Sequence, residues 1–303
     1  MDTVVQVKDF RKVYGTNVAV NGISFEVGRG EIFGLLGPNG AGKTSTLECL
    51  EGLRPASGGQ MRILDVDPTR QPGKLHNLIG VQLQTSGLPA NMCVDESMRF
   101  FCAYHGVAPR YDLIQRMGLA EKMHAQYQNL STGQKRRLAL ALAVAHNPAV
   151  IILDEPTAGL DVASRTELHA MMEELQKGGT TIILATHDMA EAEKMAQRVA
   201  ILLGGKIVAS GTPLEITATG GSLTKVSVRT DHDCLTNDGF VFPAVTQHGL
   251  KEDYMVYYST DPGPTVSAIL AKITSQGDKL IDLRVERPSL EERFLEITNG
   301  GAK

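Results

Sequence analysis

Short apolar stretches alternate with amphipathic stretches along the first two thirds of the chain. Alternating apolar positions over residues 3–8 and 22–27 predict half-buried strands, separated by a loop that holds Tyr14 and Gly15. Continuous apolar runs predict buried parallel strands at residues 31–36, 150–153 and 181–185. Helical spacing predicts helices at residues 44–53, 130–146 and 164–177. Strands that alternate with helices in this order indicate an α/β fold built on a parallel sheet.

The pattern changes near residue 210. A hairpin that turns at Gly204 and Gly205 is predicted over residues 199–209, and residues 210–213 read Ser-Gly-Thr-Pro, which marks a boundary. Beyond it, strands are predicted at residues 225–229, 254–259 and 280–285, and helices at residues 265–275 and 289–297. We therefore predict a large α/β domain over residues 1–215 and a small α+β domain over residues 216–303.

Composition limits the classes of protein that this chain can be. It has 303 residues, of which 42% are hydrophobic and 21% charged, as in a soluble globular protein. Its net charge of −4 gives no overall attraction to nucleic acid, although a local basic patch stays open. The four cysteines form no C-x-x-C pair, which favours free thiols in a reducing compartment. We expect neither a signal peptide nor a membrane span, because the longest apolar runs are far shorter than about 20 residues.

A glycine-rich loop follows the strand predicted at residues 31–36. Residues 37–44 read G-P-N-G-A-G-K-T, which fits a phosphate-binding loop between a strand and a helix. Its backbone N–H groups and the helix N-terminus favour phosphate oxygens. Lys43 places a charge on the outer phosphates, and the Thr44 hydroxyl suits Mg²⁺. The predicted ATP-binding residues here are Gly37, Pro38, Asn39, Gly40, Ala41, Gly42, Lys43, Thr44 and Thr46.

Two carboxylates end the apolar strand at residues 150–153. The carboxyl end of a parallel strand is where an α/β sheet places its ligand chemistry. Asp154 suits the coordination shell of Mg²⁺, and Glu155 suits orienting and deprotonating the attacking water. Alone, the pair would indicate a solvated turn. Together with the phosphate loop, it points to hydrolysis of a nucleotide.

Residues 130–134 read Leu-Ser-Thr-Gly-Gln before an Ala- and Leu-rich helix. Ser131 and Gln134 have the spacing of a helix capping box. A capped helix N-terminus is also an anion site. Because the phosphate loop already serves one nucleotide, this second anion site could serve another.

The same five residues resemble the signature motif of ABC transporter ATPases, with Thr132 where glycine is commoner. The rest of that family pattern follows in order over residues 1–215. Four further residues take roles by this resemblance, and they are Tyr14 as the aromatic that stacks on adenine, Gln84 as the Q-loop glutamine and Mg²⁺ ligand, Asp161 of the D-loop, and His187 as the switch histidine. Gln82 is a nearby alternative, but Gln84 ends its segment as the family residue does.

The resemblance implies an ATPase that uses ATP and Mg²⁺ in a head-to-tail dimer with a second copy of the chain. The trans ATP contacts would come from Ser131, Thr132, Gly133 and Gln134. It also implies an integral membrane permease as partner, no nucleic acid, and a place at the cytoplasmic face of the membrane.

Three classes compete within these motifs. A generic P-loop kinase or GTPase is disfavoured, because those classes do not use the signature motif. A soluble ABC ATPase of translation, chromosome handling or cluster assembly is disfavoured by the single cassette and the lack of sustained heptads. The third class is the ATPase of an exporter.

The end of the chain favours the exporter class. Residues 287–298 resemble the ending of drug- and lipid-exporter ATPases of the daunorubicin-resistance type. Within them Leu290, Phe294 and Ile297 also form the packing face of a terminal helix. Residues 86–92 suit the same branch, and in ABC transporters that region touches the membrane partner. We expect residues 216–303 to regulate or brace the dimer without binding nucleotide, because every nucleotide motif precedes them.

Overall fold

The computed structural model describes residues 2–83, 87–218, 223–232, 234–235 and 241–300. The chain divides into two compact units, Met1–Thr212 and Pro213–Lys303. The division falls between Thr212 and Pro213, whereas the sequence pattern placed it after residue 215. The proline opens a short helix, which belongs to the second unit and which the sequence pattern did not predict.

The first unit contains nine strands and seven α-helices among its described residues. The strands are β1 (Thr3–Tyr14), β2 (Asn17–Gly28), β3 (Ile32–Leu36), β4 (Gly58–Ile63), β5 (Ile79–Gln82), β6 (Val150–Asp154), β7 (Thr181–Thr186), β8 (Arg198–Leu203) and β9 (Lys206–Gly211). The helices are α1 (Lys43–Leu50), α2 (Pro72–Leu75), α3 (Val94–Tyr104), α4 (Tyr111–Arg116), α5 (Thr132–Ala143), α6 (Val162–Lys177) and α7 (Met189–Met195).

A six-stranded sheet in the order β5-β6-β7-β3-β8-β9 forms the centre of this unit. The first five strands are parallel, and β9 returns antiparallel to β8 through the predicted turn at Gly204 and Gly205. Every residue of β3, β6 and β7 is buried, which is what their continuous aliphatic runs require of strands covered on both faces. The predicted parallel α/β sheet is thus confirmed. The carboxyl ends of β3, β6 and β7 meet at one edge, where Leu36 pairs with Thr186 and Asp154 with Ala185.

A second sheet of the first unit has the order β2-β1-β4 and is antiparallel. Here the predicted strands at residues 3–8 and 22–27 were too short, because β1 and β2 form one long hairpin in which Tyr14 pairs with Asn17. The register shifts between Val7 and Phe10, and Asp9 has a left-handed φ of 46°. Such a bulge breaks the alternation of apolar positions although the pairing continues.

The predicted helices begin within three residues of their predicted positions, and two of them, α1 and α5, end earlier than predicted, whereas α6 ends at Lys177 as predicted. Helix α1 stops at Leu50, and Gly52 has a left-handed φ of 72°. Helix α5 starts at Thr132 and stops at Ala143, although its apolar sequence continues to residue 146. The extra apolar residues are buried without being helical. In the described residues, no helix combines the length and the apolar character needed to cross a bilayer.

In its described residues, the second unit is a four-stranded antiparallel sheet with helices, as expected for an α+β domain. Its elements are α8 (Pro213–Ala218), β10 (Thr224–Thr230), β11 (Val245–Lys251), β12 (Tyr254–Ser259), α9 (Pro262–Ser275), β13 (Leu280–Glu286) and α10 (Leu290–Gly300). The strand order is β11-β12-β10-β13, and α9 contacts β10 and β13. A separate apolar core consists of Val226, Val228, Leu235, Phe242, Tyr257, Ile269 and Ile273. The edge strand β11 escaped prediction, because its residues are mostly exposed and polar.

This separate core predicts that the second unit can be destabilised by itself. Ile269 is fully buried in α9, whereas its neighbour Leu270 is 37% exposed. Ile269→Ala should lower the free energy of unfolding of the second unit by about 2–5 kcal/mol, because it leaves a cavity. Leu270→Ala is the matched control and should cost much less. Denaturant unfolding followed by circular dichroism measures both, and equal losses would contradict the core described here.

Candidate nucleotide site

The loop between β3 and α1 is built around two glycines that no other residue can replace. Gly37 has a φ of 150°, and an added Cβ would lie 2.3 Å from the carbonyl oxygen of Leu202. Gly42 has a φ of 107°, and an added Cβ would lie 2.7 Å from the carbonyl oxygen of Ala19. Both backbone conformations are rare for residues with a side chain. The loop therefore owes its shape to glycines at these two positions.

Lys43 begins α1 with its ammonium group turned back onto the loop. The side chain is buried, and Nζ donates to the carbonyl oxygens of Gly37 at 2.6 Å and Pro38 at 3.3 Å. A carboxylate oxygen of Glu155 lies 3.8 Å from Nζ. Burial lowers the pKa of Lys43, and the neighbouring carboxylates oppose that shift. The N–H groups of the Lys43 ammonium that would bind phosphate oxygens thus donate to carbonyl oxygens of the loop itself.

Asp154 at the end of β6 faces the first turn of α1. The Thr44 hydroxyl donates to Oδ2 of Asp154 at 3.2 Å. The other oxygen, Oδ1, is buried and has no hydrogen-bond partner among the residues that the structure describes. Burial raises the pKa of Asp154, which the Thr44 hydrogen bond partly offsets. A carboxylate oxygen without a partner and an adjacent hydroxyl are hard oxygen ligands, so these residues fit Mg²⁺.

Glu155 follows Asp154 in a strained backbone conformation. Its φ is 49°, in the left-handed region, which costs about 1–3 kcal/mol for a residue with a side chain. Its N–H donates to the carbonyl oxygen of Ala185 at 2.9 Å, so the β6–β7 pairing extends to this residue. Oε2 lies 2.7 Å from Nδ1 of His187, which follows β7. A carboxylate only accepts hydrogen bonds, so Nδ1 carries the hydrogen.

Lys43, Thr44, Asp154 and Glu155 lie on the wall of a cavity of about 480 Å³. Its lining consists of Tyr14, Asn17, Val18, Ala19, Pro38, Asn39, Gly40, Gly42, Lys43, Thr44, Ser45, Asp154, Glu155, Gly204 and Gly205. Three of the residues expected to contact ATP do not line it, and these are Gly37, Ala41 and Thr46. His187 does not line it either. The Thr46 side chain is buried, and its hydroxyl donates to the carbonyl oxygen of Gly42 at 2.8 Å. Ser45, in the first turn of α1, lines the cavity instead.

Tyr14 lies on this cavity at the end of β1. Its hydroxyl is 3.4 Å from Oγ of Ser45 and 3.4 Å from a carboxylate oxygen of Glu48. The Lys12 ammonium lies 4.8 Å, and the Arg54 guanidinium 5.6 Å, from the ring centroid. Cations at such distances are attracted to an aromatic face. The ring is therefore held in place beside the phosphate loop.

The signature residues lie elsewhere. Ser131 and Gln134 form the predicted capping box, in which the Gln134 N–H donates to Oγ of Ser131 at 3.2 Å and the Ser131 N–H donates to Oε1 of Gln134 at 2.9 Å. An added Cβ on Gly133 would lie 2.6 Å from Oγ of Ser164 in α6. None of the residues from Ser131 to Gln134, Thr132 included, lines the cavity beside the phosphate loop.

Two other predicted residues have separate surroundings. Asp161 is the N-cap of α6, where its carboxylate accepts from the N–H of Ser164 at 2.8 Å and from its hydroxyl at 3.0 Å. These hydrogen bonds lower the pKa of Asp161. Gln84 lies outside the described residues. Its alternative, Gln82, is buried at the end of β5 and does not line the cavity.

A phosphate loop, a buried lysine and two carboxylates at the carboxyl ends of parallel strands define a P-loop nucleoside triphosphatase. The family model described as ABC transporter matches residues 20–158. The chain belongs to the ABC transporter family, as one of its ATP-binding and ATP-hydrolysing proteins.

Relatives and solved structures agree with this assignment. The chain is 34% identical to the Nod factor export ATP-binding protein I of Cupriavidus metallidurans, over 98% of each chain. It is 30% identical to the linearmycin resistance ATP-binding protein of Bacillus subtilis, over 97% of this chain and 98% of that protein. The solved structure of cbiO1 from Clostridium perfringens, part of the ABC transporter complex cbiONQ, has a TM-score of 0.65 and 30% identity over 72% of this chain and 92% of its own.

The position of Glu155 predicts a variant that binds ATP but hydrolyses it slowly. Glu155→Gln should lower turnover by about 10²–10⁴, as loss of a general base does, while ATP affinity is retained. Steady-state hydrolysis and binding of a fluorescent ATP analogue measure the two properties. Glu121→Gln, at an exposed glutamate that does not line the cavity, is the control. Near-normal hydrolysis by Glu155→Gln would contradict the role given to Glu155.

Proposed function

We propose that this chain hydrolyses ATP in a head-to-tail dimer with a second copy of itself, and that hydrolysis drives export of a drug-like or lipid-like substrate through a separate integral membrane permease. The permease would hold the chain at the cytoplasmic face of the membrane. Support for export comes from the relatives, which are named for Nod factor export and for linearmycin resistance. They resemble this chain over almost its whole length.

The chemistry proposed for the cavity follows from its contacts. Lys43 would leave the carbonyl oxygens of its own loop and place its charge on the outer phosphates of ATP. Thr44 and Asp154, together with Gln84 by family resemblance, would hold Mg²⁺, which supplies charge for the phosphate oxygens. Glu155 would accept the proton of the attacking water. The Nδ1–H of His187 would keep the Glu155 carboxylate oriented.

The observation that carries the dimer is the position of the signature helix. Helix α5 begins at an N-terminus that is capped by Ser131, and a helix N-terminus favours an anion. This helix end does not line the nucleotide cavity of the same chain. A second copy could bring its bound nucleotide to this helix end. Ser131 would then contact the γ-phosphate of ATP bound by the partner.

This arrangement predicts that a large cation at Ser131 blocks dimerisation. In the Glu155→Gln protein, which should retain ATP, Ser131→Arg should abolish ATP-dependent dimerisation and leave nucleotide binding by the monomer largely intact. Sedimentation velocity with and without ATP measures the dimer. Ser24→Arg adds the same charge at an exposed serine of β2 and serves as the matched control. Unchanged dimerisation of the Ser131 variant would count against the head-to-tail dimer.

A groove in the first unit supports the permease as partner. It has a volume of about 680 Å³ and is mostly apolar. Residues Gly87, Leu88, Pro89 and Met92 line it, from the segment whose sequence suggested contact with the membrane partner. Leu83, Phe100 and Tyr104 also line it and are 45%, 60% and 64% exposed. Exposed apolar side chains grouped around one concave surface are typical of a protein interface.

The floor of the groove indicates the chemistry of its occupant. Gln82 is buried, and within the described chain neither atom of its amide has a hydrogen-bond partner. Oε2 of Glu51 is likewise buried without one, and burial raises the pKa of Glu51 to about 7. Unpartnered polar groups are costly when desolvated. We infer that the permease inserts an apolar segment that carries one hydrogen-bonding side chain to this floor.

The groove gives a prediction that separates docking from catalysis. Phe100→Ser should weaken co-purification with the permease by at least about tenfold, since it removes a large apolar contact. Hydrolysis by the isolated subunit should not change. Tyr111→Ser, at an exposed aromatic of α4 that does not line the groove, is the matched control. Equal effects of the two variants would remove this groove from the interface and favour an ATPase that is not coupled to transport.

The second unit is proposed to regulate or brace the dimer. All the described residues that line the nucleotide cavity belong to the first unit. The Ile269→Ala protein tests this role as well as the core, since it should transport less while its affinity for ATP stays unchanged. Reduced ATP affinity in that variant would contradict the separation of roles.

A further inference from the structure

Three buried polar side chains lie together outside the nucleotide cavity. Thr157, His169 and Glu191 are each 4% exposed or less. The Thr157 hydroxyl donates to Oε1 of Glu191 at 2.7 Å, and Nε2 of His169 lies 3.0 Å from the same oxygen. They come from the turn after β6, from α6 and from α7. We call them the Glu191 cluster.

The Glu191 cluster joins the same two segments that carry the proposed reaction. Thr157 lies two residues after Glu155, and Glu191 lies four residues after His187. The Glu155–His187 contact of 2.7 Å and the Thr157–Glu191 hydrogen bond are thus two side-chain cross-links between these segments, in addition to the backbone pairing of Glu155 with Ala185. The two cross-links close a ring.

The two cross-links of this ring differ in strength. The His187 side chain is 56% exposed, so water competes for its contact with Glu155. The Glu191 side chain is completely buried, and its hydrogen bonds run in a medium of low dielectric constant. The buried Thr157–Glu191 hydrogen bond can therefore hold in place the backbone that carries Glu155 and His187.

The buried Glu191 carboxylate also has fewer hydrogen bonds than its two oxygens could accept. Oε1 of Glu191 accepts two hydrogen bonds, whereas Oε2 is buried and has no hydrogen-bond partner in the described ranges. If either donor were lost, the buried Glu191 carboxylate would keep a single hydrogen bond. Water could not replace the missing one, because the side chain is buried. The start of α7 would then have to move to rehydrate it. His187 is separated from α7 only by Asp188, so it would move too.

We propose that Glu191, held by Thr157 and His169, is a positioning residue for ATP hydrolysis, which keeps His187 at hydrogen-bond distance from Glu155. The inference rests on the proposed function, because it requires that His187 and Glu155 act together. A displacement of about 1 Å at a reacting group can reduce a rate by about 10²-fold. The cluster would therefore set turnover and leave the binding of ATP to the phosphate loop.

The first test compares variants of the full chain by steady-state hydrolysis. Thr157→Val keeps the shape but removes the donor, and it should lower kcat by about 10–100-fold with KM for ATP within about twofold. Thr157→Ser, which keeps the hydroxyl, and His169→Gln, which keeps a donor near Nε2, should stay close to the natural protein. Thr265→Val removes a buried hydroxyl from the second unit and should not change kcat. An unchanged kcat in Thr157→Val overturns the proposal.

The second test is a double-mutant cycle with His187→Ala. If the cluster acts through His187, Thr157→Val should lower kcat by less than about threefold once His187 is gone. A merely structural role predicts the same fall in both backgrounds, which would overturn the inference. Glu191→Gln, which is isosteric, takes the place of Thr157→Val if that protein does not fold. Normal hydrolysis by His187→Ala would refute the proposed role of His187 and this inference, whereas slow hydrolysis by His187→Ala with normal hydrolysis by Thr157→Val would refute this inference alone.

Discussion

The parallel pairing of β3 and β6 on either side of β7 determines where every charged atom of the nucleotide cavity lies. Each strand ends at the same edge, and each delivers one chemical function there: the phosphate loop after β3, two carboxylates at β6, and His187 after β7. These strands are buried on both faces, so side chains of the layers above and below the sheet pack against them along their whole length. Packing on both faces holds the strands in place, and the site residues at their carboxyl ends are held with them.

Charge is concentrated at this edge before any nucleotide arrives. Lys43, Asp154 and Glu155 are buried within one cavity lining, and burial moves the pKa of the lysine down and that of Asp154 up. Each shift means that the charged form is disfavoured without a ligand. A triphosphate with its metal ion would supply the missing opposite charges on both sides. Binding energy is thus available from groups that the free protein compensates only in part.

Local features of the site could be predicted from the sequence, and features that join distant segments could not. The glycines of the phosphate loop and the capping box of Ser131 and Gln134 depend on neighbours in the chain, so their spacing was sufficient. Ser45 was missed because only the three-dimensional turn of α1 shows that it, and not Thr46, faces the cavity. The length of β1 was missed because a bulge at Asp9 breaks the alternation.

The Glu191 cluster had no sequence signal at all, whereas the residues of the apolar groove that lie within 87–92 belong to a segment that the sequence had singled out. Thr157 and Glu191 are 34 residues apart, and nothing in either segment indicates the partner. By contrast, the close approach of Gly133 to Ser164 has a mechanical consequence. Ser164 is hydrogen-bonded to Asp161, so the first turns of α5 and α6 are closely packed where Gly133 approaches Ser164. A movement of the N-terminus of α5 toward α6 would therefore push on Ser164, and through it on the Asp161 cap at the start of α6.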